Sequence, residues 1–149
     1  MQAATVGAAG MLLGRRSYDI LTRAWSSADD SDPAVAAMNE MPKYVVSSSS
    51  DGLTWSNSQV LGGELSPAVT GLKERTEGDL VVFGSGTLVK GLAAHDLVDE
   101  YRLLLFPVVL GDGKRMFDEH AHLARFTLTD SVVAATGVAV LTYTRETRA

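Results

Sequence analysis

Three short apolar stretches in this chain each end on glycine or serine. "AGMLLG" (Ala9–Gly14) runs into "RRSYDILTRAW", "KYVV" runs into a serine cluster, and "LVVFG" runs into "SGTLVKGLAAHD". An apolar run too short for a helix, closed by small residues, reads as a strand. Tyr18, Leu21 and Trp25 recur at helical spacing after the first run, and Leu88, Val89, Leu92 and Ala93 share one helical face after the third. Strands that alternate with helices require crossovers, and crossovers make a parallel sheet covered by helices.

The remaining segments fit that frame. "SSADDSDP" is a polar turn, and "PAVAAMNEM" is a short helix with Pro33 at its first position. "DGLTWSNSQVLGG" is irregular, with one short strand near Trp55. "SPAVTGLKERTEGD" reads as a helix ended near Gly78, and "DEYRLLLFPVVLG" as a strand with Pro107 near its end. "RFTLTDSVVAATGVAVLTYTRE" alternates on both sides of Ala135, Thr136 and Gly137, the pattern of a hairpin. The expected fold is therefore α/β, a mostly parallel central sheet flanked by helices with a C-terminal antiparallel β-hairpin. At 149 residues, with no repeat and no linker, it reads as one domain over 1–149.

Bulk properties exclude several function classes. A formal charge of −5 does not suit nucleic acid or an anionic membrane. The absence of cysteine removes disulfides, thiolate nucleophiles and cysteine-ligated zinc, and fits a cytoplasmic protein. His120 and His122 lie two apart without a carboxylate at convincing spacing, so no metal site is expected. "LGDGKR" fails as a phosphate loop, because Val108 holds the first glycine position and no Ser or Thr follows Lys114. Asp99 and Glu100 point to opposite faces of a strand and are no catalytic pair. Trp25 and Trp55 read as core or cleft walls.

The strand ends carry the candidate chemistry. A buried strand that ends in glycines and feeds a helix exposes backbone N–H groups at the positive end of the helix dipole, a site for phosphate. Gly84, Ser85, Gly86 and Thr87 fit, and a tight turn needing glycine for geometry alone would look the same. Val89 stands where a dinucleotide fingerprint needs its third glycine, and Ser85 lacks the glycine spacing of a nucleophile elbow. Gly14 closes the first strand, and Arg15 and Arg16 open a helix whose dipole they oppose, an arrangement eased by an anion between them or by solvation. Ser47, Ser48 and Ser49 supply hydroxyls at the third strand end, which taken alone read equally as a polar loop. The carboxyl ends of parallel strands share one edge of an open sheet, where ligands bind. Arginines and hydroxyls there suit a dinucleotide with an extra phosphate, such as NADPH.

"LLGRRSYDIL", "KYVVSS", "LVVFGSGTLVKGL" and "LVDEYRLLLFPVVLGDGKRMF", in that order, resemble the dihydrofolate reductase-like superfamily. The nearest branch is that of the C-terminal reductase domain of the bifunctional riboflavin-biosynthesis deaminase–reductase. The resemblance implies an NADPH-dependent reductase of a small heterocyclic, pterin- or pyrimidine-like substrate, in many members a homodimer. It carries phosphate contacts onto Gly14, Arg15, Arg16 and Ser17, and contacts with the adenosine 2′-phosphate onto Ser47 and Ser48. The pyrophosphate cradle falls on Gly84, Ser85, Gly86, Thr87 and Leu88. Phe106 and Pro107 fall on the substrate side, and no residue is assigned as catalytic acid. Family members place a strand, a loop and a helix ahead of the segment matching "LLGRRSY", where this chain has about ten residues, so it reads as shortened at its start. Two rival readings are a non-catalytic nucleotide-binding or structural homodimer of the same fold, and a drug-binding protein on a related sheet.

Overall fold

The structure is a computed structural model that describes residues 7–28, 31–117 and 123–146. The chain divides into two compact units, residues 1–91 and 92–149.

Unit 1 holds a parallel sheet. β1 (Gly10–Gly14), β2 (Lys43–Val46), β3 (Ser58–Leu61) and β4 (Leu80–Val81) lie in the order β3-β2-β1-β4. The register is Met11 on Lys43 through Gly14 on Val46, Lys43 on Ser58 through Val46 on Leu61, and Gly10 on Leu80 with Met11 on Val81. β1 is a central strand, so both its faces are buried: Met11 and Leu13 are 0% exposed and Leu12, pointing the other way, 2%.

The helices follow from local signals. α1 (Arg15–Trp25) starts directly after Gly14, which is extended at φ −73° and offers no side-chain cap. Asp32 caps α2 (Pro33–Glu40), its carboxylate accepting the Ala34 N–H at 2.8 Å, and Pro33 takes the first helical position. α3 (Leu65–Arg75) turns Val69 and Leu72 inward and carries Lys73 and Arg75 in its last turn, where cations suit the dipole. It stops at Arg75, earlier than the glycine at 78 suggests, because the Thr76 hydroxyl donates back to the Leu72 carbonyl at 2.7 Å and Thr76 itself is extended. α4 (Gly86–Ala94) packs so closely on α3 that a Cβ at Gly91 would lie 2.7 Å from Leu65 Cδ2.

One core cluster joins Met11, Leu13, Tyr18, Met38, Met41, Val45 and Trp55. Lys43 projects from the Val45 face of β2 and is 0% exposed. Its ammonium donates to the carbonyls of Met41 (2.8 Å), Asn39 (2.9 Å) and Ser56 (3.0 Å) and lies 4.6 Å from the Trp55 ring centre. All three N–H donors are thus used, as a buried cation requires. Burial lowers the ammonium pKa to about 8.

Unit 2 is an antiparallel sheet of β5 (Glu100–Leu105), β6 (Phe126–Val133) and β7 (Ala139–Arg145), in the order β5-β7-β6. The expected hairpin is β6–β7, with Gly137 at φ 83° in its turn and a bulge between Leu128 and Asp130. Tyr101 is its buried aromatic centre, 5.6 Å from Phe117 and 5.0 Å from Phe126 between ring centres.

Two sequence expectations are corrected. "LVVFG" is not a fully buried strand: only Leu80 and Val81 join the ladder and residues 80–83 are half-buried, since β4 pairs with β1 alone among the described strands. "DEYRLLLFPVVLG" stops being a strand at Leu105, because Pro107 has no N–H and the Val108 N–H turns back to the Phe106 carbonyl at 2.8 Å. The short strand expected near Trp55 is β3, at Ser58–Leu61. His120 and His122 lie outside the described residues. Among the described residues, no group of three His, Cys, Asp or Glu side chains could hold a metal ion, and no helix is long and apolar enough to cross a membrane.

Candidate functional site

Parallel pairing brings the ends of β1, β2 and β4 to one edge of the unit 1 sheet. Gly14 ends β1 opposite Val46, the last residue of β2, so Ser47 begins its loop level with the start of α1. β4 runs alongside β1 from the Gly10–Leu80 pair, and its continuation reaches the Gly84–Gly86 turn.

The closest approach at this edge joins two turns. A Cβ at Gly14 would lie 2.5 Å from Ser85 Oγ, inside any allowed contact. The β1–α1 and β4–α4 turns therefore abut, and glycine at 14 is what lets them. Gly84 (φ 63°) and Ser85 (φ 62°) are successive left-handed residues, natural for the first and strained for the second. The first bond of α4 runs from the Val89 N–H to the Ser85 carbonyl at 3.0 Å, so the amides of Gly86, Thr87 and Leu88 lie ahead of it. A Cβ at Gly84 or Gly86 would meet no protein atom within 4 Å, which leaves open room at the turn. Leu88 is 6% exposed, so its side chain packs inward and does not line the open side of the turn.

The arginines separate into two roles. Arg15 Nε donates to Asp19 Oδ1 at 3.1 Å, one helical turn on, and both side chains are about a third or more exposed. This ion pair relieves part of the opposition between Arg15 and the helix dipole. Arg15 Nη2 also approaches the loop after β2, since a Cβ at Gly52 would lie 3.0 Å from it. Arg16 is exposed and Ser17 half-buried.

Two of the three candidate serines shape their own loop. The Ser47 hydroxyl donates to the Ser49 carbonyl (2.9 Å) and accepts the Ser49 N–H (3.2 Å), and the Ser49 hydroxyl accepts the Asp51 N–H (3.0 Å). Ser48 is the exposed one. Beyond them the Trp55 N–H donates to the Tyr18 hydroxyl at 2.8 Å, and its indole Nε1 donates to Asn39 Oδ1 at 2.6 Å. A cleft of about 220 Å³ opens beside this loop, lined by Tyr18, Asp19, Thr22, Arg23, Gly52 and Thr54.

Gly14, Arg15, the Ser47 loop and the Gly84–Leu88 turn are thus brought together. Phe106 and Pro107 belong to unit 2, where Phe106 is 58% exposed and Pro107 packs against the hairpin turn, 3.4 Å from a Cβ placed at Gly137. Sequence reasoning missed Asp19, although its four-residue spacing from Arg15 signals a helical ion pair. It also missed Gly52, whose φ of 71° sits in a Asp-Gly turn. Nothing in the sequence links Tyr18 to Trp55 across 37 residues.

The chain matches the RibD C-terminal domain over residues 1–140. It is 25% identical over 136 residues to the uncharacterized protein YyaP of Bacillus subtilis, covering 89% of this chain and 72% of the relative. A putative riboflavin biosynthesis protein from a Shewanella species superposes with a TM-score of 0.75 at 20% identity, over 97% of this chain and 78% of its own. A pyrimidine reductase-like protein from Corynebacterium diphtheriae gives 0.59 at 11% identity, over 95% and 77%. One form of RibD from Acinetobacter baumannii gives 0.61 at 14% identity, over 97% of this chain and 50% of that one. The four-stranded parallel sheet, its helices and the separate antiparallel sheet are the dihydrofolate reductase-like fold of these structures, and the chain belongs to the RibD C-terminal domain family.

Proposed function

We propose that this protein is a reductase that binds NADPH along the edge formed by β1, β2 and β4 and acts on a small heterocyclic substrate. The contact between Gly14 and Ser85 carries the reading, because it unites two glycine turns, each feeding a helix N-terminus, into one bank of amides. The amides of Arg15–Ser17 and Gly86–Leu88 would face the pyrophosphate. Arg15 and Ser48 would meet the 2′-phosphate, with Ser47 and Ser49 shaping the loop that presents Ser48. The residues fit such a group: the turn is open above Gly84 and Gly86, the amides of Gly86–Leu88 lie ahead of the first bond of α4, and Arg15 reaches the loop after β2. When bound, the nicotinamide supplies the hydride for reduction of a C=N or C=O bond. The chain's own part is to hold the phosphates and fix the dinucleotide's orientation.

The reading includes a homodimer. Unit 2 exposes Leu104, Leu105, Phe106, Val108, Val109 and Leu110, each at 46% or more, a run of apolar surface that a second copy would cover.

The test is a thermal-shift and fluorescence titration with both dinucleotides. NADPH is expected to raise the melting temperature and NADH to raise it much less, and Arg15→Ala is expected to weaken NADPH binding selectively. Equal responses to the two would remove the 2′-phosphate from the reading. NADPH binding without turnover of any pterin or pyrimidine would favour the non-catalytic nucleotide binder instead.

A further inference from the structure

We infer that Tyr18 is a positioning residue for dinucleotide selectivity: its hydroxyl locks the loop after β2 against α1 and thereby sets the preference for a 2′-phosphorylated dinucleotide over its unphosphorylated counterpart. The inference rests on the reading above.

Tyr18 lies one turn after Arg15 on α1 and is fully buried. Its hydroxyl accepts the N–H of Trp55 at 2.8 Å, a backbone group buried with the residue that carries it. Trp55 is held from two further sides, by Asn39 Oδ1 on its indole nitrogen and by the Lys43 ammonium over its ring. The loop from Ser47 to Trp55 therefore has a fixed beginning at the last β2 pair, an interior wound by the Ser47 and Ser49 turns, and a fixed end at Trp55. Helix α1 meets this loop at two places, Arg15 beside Gly52 and Tyr18 beneath Trp55. The Gly14–Ser85 contact lies outside the loop. The binding edge thus has two separable parts: abutting turns that serve the pyrophosphate common to both dinucleotides, and a loop that serves only the extra phosphate. Removing the Tyr18 hydroxyl leaves the Trp55 N–H without its acceptor and frees the second part while the first stays assembled.

The experiment measures dissociation constants of the 149-residue chain and of its Tyr18→Phe variant for NADPH and NADH. The expected result is a rise of about tenfold for NADPH, the scale of one charge-assisted hydrogen bond, with NADH changed less than about twofold. A purely structural role would lower thermal stability and leave the ratio of the two constants where it was, and that result overturns the inference. A wild-type protein that binds neither dinucleotide overturns the functional reading itself, and the inference with it. Should Tyr18→Phe not fold, amide exchange at Trp55 in the wild type decides. NADPH should slow it more than NADH does, and equal protection overturns the inference.

Discussion

The abutting turns make a prediction that needs no ligand. Gly14→Ala places a Cβ 2.5 Å from Ser85 Oγ, but 3.9 Å from Ser85 Cβ and 3.8 Å from Leu88 Cβ, both ordinary contacts. The whole clash is therefore with one hydroxyl oxygen. The backbone at Gly14 has φ −73° and ψ 151°, which alanine adopts freely, so the substitution by itself gains a few tenths to about 1 kcal/mol from the less flexible unfolded chain. Against that stands about 1–3 kcal/mol for overpacking, reduced as far as Ser85 can rotate. Gly14→Ala is thus expected to destabilise by about 1 kcal/mol net. Ser85→Gly removes the oxygen and the strain of a side chain at φ 62°. In that background Gly14→Ala should become neutral or stabilising, giving a coupling free energy of about 1–2 kcal/mol in a double-mutant cycle. Urea denaturation of the four proteins, with a common m-value, measures it. Additive effects of the two substitutions would refute the contact, and with it the claim that the two glycine turns form one surface. The same cycle read by NADPH titration has a different expectation: the double variant regains stability without regaining affinity, because the new Cβ still stands off any anion from the turn.

Two further predictions follow from other parts of the molecule. The folded Lys43 ammonium has its pKa lowered by burial from 10.5 to about 8, so between those values the unfolded chain keeps a proton that the folded chain has given up. Stability relative to Lys43→Met is therefore expected to rise with pH across that window and to be flat below it, and a difference that falls between pH 8 and pH 10.5 in paired thermal melts would contradict the burial. In unit 2, Leu110 is 82% exposed and Val109 97%, so Leu110→Asp should leave folding intact while shifting a two-copy species to one in sedimentation velocity. A wild type that sediments as a monomer refutes the homodimer.

How far the sequence could be read depended on the range of the interaction. The boundary between β1 and α1 falls at Gly14, where the pattern changes from an apolar run to helical spacing, because one residue both ends the strand and opens the helix. α2 begins at Pro33 for an equally local reason. β3 is legible only as a short strand near Trp55, without bounds, because over Ser58–Leu61 only Leu61 is buried and the alternation before it is too weak to separate from the irregular stretch. β5 was overextended because apolar residues continue to Leu110, and hydrophobicity alone does not register that Pro107 cannot donate to a ladder.

The candidate site shows the same division one level up. Glycines, serines and arginines at strand ends are local signals, and Gly14, Arg15, the Ser47 loop and the Gly84–Gly86 turn lie at one edge because parallel pairing aligns the strand ends. What the signals could not show is how the groups restrain one another. Ser47 and Ser49 look like phosphate donors in the sequence, yet their hydroxyls are engaged in winding their own loop. Lys43 looks like the polar start of a strand, yet it is the buried tie between the end of α2 and the segment leading into β3. Tyr18 looks like one more apolar position on a helix face, yet its hydroxyl fastens a loop 37 residues away. Each of these residues contributes by immobilising a neighbour. Side chains that touch a ligand can be guessed from their chemistry, whereas side chains that hold those in place depend on who is adjacent after folding, and adjacency is a property of the packed chain.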